Sequence, residues 1–304
     1  MRHGLFLPPF GELAHPKYLS ELAQQAEAAG WEGVFLWDHL VYPNVPQLVD
    51  PWIALTAIAG ATRTIKLGPM VTPLPRRRPW GLARQVAALD LLSDGRLVLG
   101  VGRGDLREGE FATFGEELDR RVRGEMLDES LSLLHQLLSG ARVERRGKHY
   151  LVEGAQFLPT PHQQPLPTWV AARWPNRAPL RRAARYQGVF VIQVERPEEI
   201  LELRSLLAGF GVGDRPFEIV MAMAPGRDPD LGRRRELPGT SPGSARLTCV
   251  EPRWRESWQP AHRRPEPEIA EERRVGVAGL TSPLGGEYGT HPRRRSESTA
   301  QLSA

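Results

Sequence analysis

The sequence predicts a (β/α)8 barrel, and three observations support that fold class. Short apolar runs alternate with longer helical patterns up to about residue 226. The runs are apolar throughout instead of alternating with polar residues, which is typical of parallel strands covered by helices on both faces. Seven such units fit into this length, which favours a closed barrel over a doubly wound open sheet.

The predicted strands are the seven apolar runs, at residues 3–8, 33–39, 65–72, 96–102, 168–172, 188–193 and 217–223. The predicted helices between them carry start and stop signals. In YLSELAQQAEAAG (18–30) the apolar residues fall on one face and Gly30 ends the pattern, and the next helix begins with Pro51 in its first turn. Residues 140–167 interrupt the alternation and are predicted to form a hairpin-like insertion.

The last part of the chain has a different composition. Residues 227–304 contain only ten Ile, Leu, Val, Phe or Met, together with abundant Arg, Pro, Ser and Gly. Such a segment buries too little apolar surface to offset its ordering entropy. We therefore divide the chain into a barrel domain, 1–226, and a disordered tail, 227–304. The abrupt change suggests the hypothesis that residues from about 233 onward derive from a shifted reading frame.

The eighth β/α unit is in doubt in the sequence. The one candidate strand after residue 226 is RRVGVAGLTS (273–282), and its pattern is weak. We therefore expect an incomplete barrel with an open edge between its first and seventh strands.

Charge and cysteine content exclude several classes of function. The net charge is +4, but the tail supplies 14 Arg against 11 acids, so the first 226 residues are nearly neutral and carry no basic stripe for nucleic acid. The single cysteine, Cys249, allows no internal disulfide. No stretch is long and apolar enough for a membrane helix, and the N-terminus does not resemble a signal peptide. We expect a cytoplasmic protein that contacts neither nucleic acid nor membrane.

The segment GRLVLGVGRGDLREGEF (95–111) carries the first candidate site residues. It lacks the third glycine and the helix opening of a dinucleotide fingerprint, and it contains the fourth strand instead of the first. At the end of a barrel strand, glycines allow close approach to a flat ligand, and Arg103 provides a cation for a phosphate. The alternative is that Arg103 is a solvated loop arginine.

A second strand end carries an acid and a histidine. FLWDHL places Asp38 and His39 where the second strand ends, and functional groups of barrels lie at that end. A histidine there is a candidate acid or base, while the alternative is a structural histidine. The run from Arg76 to Arg78 follows the third strand, and one of its side chains is expected to contact a ligand.

The sequence resembles a known family in five segments that occur in a characteristic order and spacing. They are GVFLWDHL, LGPMVTPLPRRRPWGLARQVAALDLLSDGRLVLGVGRG, EFATFG, RRVRGEMLDESLSLLHQLLSG and PTWVAARWPNRAPLRRAAR. The sequence is similar to the bacterial luciferase-like, flavin-dependent monooxygenases and their deazaflavin-dependent relatives. The resemblance covers about residues 1–226.

The resemblance implies roles for particular residues. His39 matches the active-site histidine, with Asp38 as the acid that tunes it. Met70 and Val71 lie where the family often has a non-prolyl cis peptide behind the flavin ring. Arg103 matches an arginine that contacts the flavin phosphate, and Gly102 stands where luciferases have a reactive cysteine.

The resemblance also assigns a phosphate loop before the fifth helix, in which backbone N–H groups hold the anion. Its residues are Ala171, Ala172, Arg173, Trp174, Pro175 and Asn176.

The function implied is that of a luciferase-like monooxygenase, which uses reduced flavin mononucleotide (FMN) and oxygen on a small organic substrate. The first alternative is a deazaflavin-dependent reductase or dehydrogenase on the same barrel. The second is a non-catalytic flavin-binding protein. The implied partners are the flavin, a small-molecule substrate, a flavin reductase and further copies of the chain in a homo-oligomer.

Overall fold

The computed structural model describes residues 2–106 and 109–223, and the backbone of 246–250. The strands are, in chain order, β1 (Arg2–Leu7), β2 (Gly33–Leu36), β3 (Lys66–Pro69), β4 (Thr72–Pro73), β5 (Leu99–Gly102), β6 (Arg142–Arg146), β7 (Leu151–Gln156), β8 (Thr168–Arg173), β9 (Gly188–Ile192), β10 (Glu218–Met223) and β11 (Arg246–Val250). The helices are α1 (Pro16–Ala28), α2 (Pro51–Ala61), α3 (Pro79–Leu92), α4 (Glu110–Thr113), α5 (Arg120–Leu138), α6 (Arg177–Ala183) and α7 (Pro197–Gly209).

The main sheet closes on itself. Its order is β3-β2-β1-β11-β10-β9-β8-β5-β4, and every pair in it is parallel. Met70 and Val71 interrupt what is otherwise one strand, β3 followed by β4. A parallel bridge between Leu67 and Leu97 joins that strand to the chain entering β5. Within the described residues the ring therefore has eight strand positions, and the predicted (β/α)8 barrel is confirmed.

The eighth position is occupied, and the predicted open edge is wrong. β11 pairs with β10 on one side and with β1 on the other, with Cys249 opposite both Ala222 and Gly4. The barrel thus extends past residue 226, into the segment predicted to be a tail. A count of apolar residues missed this strand because ladder hydrogen bonds come from the backbone, whatever the side chains. The candidate strand at 273–282 and the rest of the segment assigned to a shifted frame lie outside the described residues.

The strands form because their residues can be buried on both faces. The inside of the barrel is filled by seven mostly large side chains in mutual contact: Phe6, Phe35, Met70, Val98, Trp169, Phe190 and Val220. The outer faces of the same strands pack against the helices in a second, larger apolar layer. A barrel filled in this way is a packed core with no pore, so ligands are confined to its mouth.

The helix signals in the sequence are confirmed in α1 and α2. α1 buries Leu19, Ala23 and Ala26, and Gly30 follows its end with φ +82°. α2 begins at Pro51, and the Asp50 side chain accepts a hydrogen bond from Ile53 N at 2.9 Å. The predicted insertion is also confirmed, because β6 and β7 form a separate antiparallel hairpin. Within the described residues no helix combines the length and apolarity that crossing a membrane requires.

Glu27, near the end of α1, holds the chain that leads from α2 into β3. Its Oε1 accepts hydrogen bonds from Thr64 N at 2.6 Å, Ile65 N at 2.8 Å and Arg63 N at 3.0 Å. Partial burial alone would raise the pKa of this carboxyl, but the three backbone donors and the Thr64 hydroxyl lower it from 4.5 to about 2. The ionised form is therefore stabilised by folding.

We predict that Glu27→Gln destabilises the protein in a pH-dependent way. Because the folded-state pKa is depressed, the contribution is present above the ordinary carboxyl pKa of 4.5 and is lost as pH falls towards about 2. At pH 7 the free energy of unfolding should fall by about 1 kcal/mol, a charged hydrogen-bond value reduced for solvent screening. Urea unfolding at several pH values measures it. Glu21→Gln, on the exposed face of the same helix, is the control, and an equal loss in both variants at every pH would contradict the prediction.

Candidate active site

The mouth of the barrel has an apolar floor. Five half-buried side chains at the carboxyl ends of the strands pack on the filled interior: Trp37, Val71, Ala171, Ile192 and Ala222. Loops after β2, β5 and β8 rise around this floor and carry the polar residues described below. Parallel strands bring these ends together, so the candidate residues predicted from separate strands lie around one site.

The residues expected to lie behind a flavin ring are brought together at the floor. The Met70–Val71 peptide bond is cis, as the resemblance implies. A Cβ built on Gly102 would lie 2.9 Å from Val71 Cγ2 and 3.4 Å from Ala171 Cβ. Gly102 therefore permits the close approach of three strands here. Met70 itself is buried, and its side chain belongs to the barrel interior.

The sequence analysis expected Asp38 to act on His39. The contacts instead give the Asp38 side chain a structural role. Its side chain is completely buried. It accepts hydrogen bonds from four side chains: Trp52 Nε1 at 3.1 Å, Thr72 Oγ1 at 2.6 Å, Arg76 Nη2 at 2.6 Å and Arg77 Nη2 at 3.0 Å. A carboxylate saturated in this way orders the ends of β2 and β3. Of the predicted arginine run, Arg76 and Arg77 make these contacts with Asp38.

The acid that contacts His39 is Glu110, which the sequence analysis did not single out. His39 Nδ1 lies 3.2 Å from Glu110 Oε1, and the same oxygen accepts hydrogen bonds from the backbone N–H groups of Leu40 and Val41. Glu110 opens α4, in the segment EFATFG. That segment was part of the family resemblance, so the signal was present, but 71 residues separate the pair.

The charge state of Glu110 defines which nitrogen of His39 is free. Burial would raise the pKa of Glu110, but the hydrogen bond from His39 and the charge of Arg76 hold it below its ordinary value. An ionised carboxylate only accepts hydrogen bonds, so the proton between the two groups lies on Nδ1 of His39. The neutral ring then has an unprotonated Nε2, the form required of a general base.

Arg76 links the two carboxylates. Its guanidinium donates to Asp38 through Nη2 at 2.6 Å and to Glu110 through Nη1 at 2.8 Å. All three side chains are at most 3% exposed. The position of His39 relative to the floor thus depends on a buried cation shared by two buried anions.

Arg103 is the centre of a positively charged region at the end of β5. Its pKa is lowered to about 10, first by burial and then by the charges of Arg120, Arg123 and Arg182, with Asp105 acting in the opposite direction. Among the described residues, its buried Nε has no hydrogen-bond partner. A desolvated guanidinium among other guanidinium groups is the arrangement that a bound phosphate stabilises. The residues present therefore fit a phosphorylated cofactor.

The neighbours of Arg103 differ in how far their charge is neutralised. Arg182 makes a two-point ion pair with Asp128, at 2.8 and 2.7 Å. Arg123 instead donates to the carbonyl oxygens of Arg103 and Gly104 at 3.3 and 3.2 Å and stacks over Phe111. Arg123 thus shapes the backbone of the β5 loop and adds its positive charge beside Arg103.

The predicted phosphate loop is divided between two faces of the sheet. Ala171 lies on the floor, whereas Ala172 and Trp174 pack into the layer between sheet and helices. Arg173 forms an ion pair with Asp105 at 2.9 Å, which ties the ends of β8 and β5. Pro175 follows a cis peptide bond, and Asn176 precedes α6 without a capping hydrogen bond from its side chain. The side chains of Ala172 and Trp174 are therefore directed away from the mouth. That the backbone N–H groups of this loop bind a phosphate stays a prediction.

Fold and site together define a (β/α)8-barrel protein with a histidine–glutamate pair and a cluster of arginines around Arg103 at the carboxyl ends of its strands. The chain belongs to the luciferase-like monooxygenase family, whose model matches residues 1–224.

Similar proteins include both deazaflavin and oxygenase members. An F420-dependent hydroxymycolic acid dehydrogenase of Mycobacterium tuberculosis is 35% identical over 71% of this chain and 56% of its own length. An F420-dependent glucose-6-phosphate dehydrogenase of Amycolatopsis mediterranei is 33% identical over 53% of this chain and 49% of its own. A crystal structure of a monooxygenase from Streptomyces bottropensis matches with TM-score 0.65 and 26% identity, over 74% of this chain and 71% of that one. The chain spans about half the length of the two curated relatives.

We predict that Arg76→Met destabilises the protein strongly, because it leaves Asp38 and Glu110 as buried charges without their shared cation. Breaking a buried ion pair on one side costs about 3–5 kcal/mol, and urea unfolding at pH 7 measures this loss. Adding Glu110→Gln to Arg76→Met should recover part of the loss, since one uncompensated charge is removed. Arg78→Met, an exposed neighbour, is the control. Unchanged stability of Arg76→Met would contradict the assigned network.

Proposed function

We propose that the protein is an F420-dependent oxidoreductase that exchanges a hydride between this deazaflavin cofactor and a small organic alcohol or carbonyl compound. The observation that carries the proposal is the site itself. It combines an oriented base, His39 with Glu110, a flat apolar floor and the partly desolvated cation of Arg103. These three features match a proton acceptor, a ring-binding surface and a phosphate anchor.

The comparisons favour F420 over FMN as the cofactor. Sequence analysis gave preference to FMN because Arg103 matches a flavin-phosphate arginine, but an arginine recognises the phosphate of either cofactor. The two curated relatives described above are F420-dependent dehydrogenases by name. The second candidate is the FMN-dependent monooxygenase, which the likeness to the Streptomyces bottropensis enzyme supports.

The cofactor would be held at two ends. Arg103, with the charges of Arg120 and Arg123, would bind its phosphate, and the floor around Val71 and Ala171 would contact its ring system. When bound, F420 supplies two-electron hydride chemistry without oxygen. The protein's contribution is to bind and orient the ring and to exclude water from the apolar side of the site.

His39 would handle the proton that accompanies hydride transfer. Nε2 accepts the hydroxyl proton of an alcohol during oxidation and returns it to the carbonyl oxygen during reduction. Glu110 keeps Nδ1 protonated and stabilises the positive charge that the imidazole acquires, while Arg76 holds Glu110 in place. Glu110 and Arg76 are thus positioning residues for His39.

Titration of the protein with F420 and with FMN, followed by the fluorescence of each cofactor, tests the anion site. Arg103→Ala should weaken F420 binding by about 1.5–3 kcal/mol, or roughly tenfold to a hundredfold in Kd. Arg121→Ala is the matched control, because this exposed arginine on α5 pairs with Glu125 instead. An unchanged Kd in Arg103→Ala would remove Arg103 from the cofactor site. Binding of FMN alone, with oxygen-dependent turnover, would favour the monooxygenase.

Turnover of the F420-loaded protein tests the acid–base pair. His39→Ala should lower kcat by about 10²–10⁴-fold, the span for a lost general acid or base. Glu110→Gln should lower it by roughly tenfold to a hundredfold, as expected for a lost charged hydrogen bond. Cofactor affinity should change little in both. Near-normal turnover of His39→Ala would make His39 structural, and cofactor binding without any turnover in the unmodified protein would favour the non-catalytic alternative.

A further inference from the structure

The short helix α4 is attached to the rest of the protein by two buried side chains. A helix of one turn has too few internal hydrogen bonds to be stable on its own, so its position depends on packing. Its buried residues are Glu110 and Phe111, which are 2% and 1% exposed, whereas its other two residues face solvent. Because the two are adjacent in one turn of helix, the packing of Phe111 also determines where Glu110 lies.

Phe111 packs against the loop that carries Arg103. A Cβ built on Gly104, which has φ +79°, would lie 2.5 Å from both Cε2 and Cζ of the Phe111 ring. The guanidinium of Arg123 lies over the same ring, 4.7 Å from its centroid, and donates to the carbonyl oxygens of Arg103 and Gly104 at 3.3 and 3.2 Å. The ring of Phe111 thus contacts both the backbone and a cation of the proposed phosphate anchor.

An anion at Arg103 changes the forces on these contacts. Burial first, and then the charges of Arg120, Arg123 and Arg182, destabilise the charged form of Arg103 and lower its pKa. A bound phosphate group attracts Arg103 and Arg123 together, so their mutual repulsion is offset by attraction to one shared anion. Arg123 is then held more firmly over Phe111, and α4 is held with it.

We propose that Phe111 couples the phosphate anchor at Arg103 to the His39–Glu110 pair, so that a bound phosphate group increases the proton affinity of His39. This inference rests on the proposed function, because it links the anchor and the base that are assigned there. Phe111 is a positioning residue that acts through Glu110. The consequence for catalysis is that His39 is a stronger base in the cofactor-loaded protein than in the cofactor-free protein.

The groups that face His39 identify the route of this coupling. Among the described residues, the titratable groups in contact with the His39 ring are Glu110, at 3.2 Å from Nδ1, and Tyr42, whose ring centroid lies 5.3 Å away. Arg76 contacts Glu110 from behind, and Asp38 contacts Arg76. Glu110 is the member of this set that shares α4 with Phe111. A displacement of Phe111 therefore reaches His39 through its hydrogen bond to Glu110.

The test is an NMR titration of the His39 imidazole in the cofactor-free protein, with saturating sulfate and with chloride at the same ionic strength. Sulfate replaces phosphate as the probe because its charge does not change over the titration. The His39 signal is identified by its loss in His39→Gln. In the unmodified protein we expect sulfate to raise the pKa of His39 by about one unit, or tenfold in proton affinity, as expected for strengthening one charged hydrogen bond.

Two variants disturb the contact from its two sides. Phe111→Leu keeps an apolar side chain but removes the ring beneath Arg123, and Gly104→Ala adds a methyl group that displaces the ring. We expect each variant to lose most of the shift that sulfate causes. The matched controls are Phe114→Leu, because Phe114 is 51% exposed, and Gly115→Ala, a glycine with φ +65° at which an added Cβ meets no atom of the described residues within 4 Å. Both controls should keep the full shift.

Saturation with sulfate is checked by calorimetry for every variant, so that weaker binding is not mistaken for lost coupling. An equal shift in Phe111→Leu and Gly104→Ala would mean that the anion acts on His39 directly, which overturns the proposal. Absence of sulfate binding, or of any shift, in the unmodified protein overturns it as well. F420-dependent turnover that requires His39 would then leave the proposed function standing. A coupled shift in a protein that does not turn over with F420 supports the coupling, and only the proposed function falls.

Discussion

The arrangement at the barrel mouth depends on the buried guanidinium of Arg76. It lies between two carboxylates, Asp38 and Glu110, and each of the three side chains is almost fully excluded from solvent. Such a group is stable only while all its members are present, because each ion's desolvation is offset by its partners. Asp38 anchors the ends of β2 and β3, and Glu110 belongs to α4, so one cation fixes the relative positions of three segments. His39 takes its place from this network.

The same network divides the electrostatics of the site. The arginines near His39 form ion pairs with Asp38 and Glu110. At Arg103, in contrast, burial and the charges of neighbouring arginines destabilise the positive charge and lower the pKa. A ligand with one anionic end and one neutral flat end satisfies both halves. The proposed phosphorylated ring cofactor is such a ligand, and with its phosphate at Arg103 its ring would lie over the apolar floor beside His39. The separation of the positive region at Arg103 from the neutral floor would by itself orient such a ligand, without any specific contact to its ring.

Sequence patterns predicted the fold better than they predicted the side-chain contacts of the site. Uniformly apolar runs located seven strands, because burial on both faces leaves a signal in every residue. The carboxylate that contacts His39 differs from the one expected, for a geometric reason. Asp38 and His39 are adjacent in sequence, but the side chain of Asp38 reaches into the structure towards Trp52 and Thr72, while His39 faces the mouth. The true partner, Glu110, comes from a different loop, and single-sequence reasoning has no measure of which distant acid will meet a histidine.

The strand that closes the barrel, β11, was also not predicted from the sequence pattern. β11 connects β10 to β1 through backbone pairing over five residues, Arg246–Val250. Without β11, both neighbouring strands would leave a row of N–H and C=O groups without partners. Pairing with that row stabilises closure of the barrel whatever side chains the five residues of β11 carry. Composition therefore says little about this strand, although the barrel mouth depends on it. Ala222, one of the floor residues, lies on β10, which β11 joins to β1, so the spacing of the floor is set in part by a strand that the sequence pattern did not reveal.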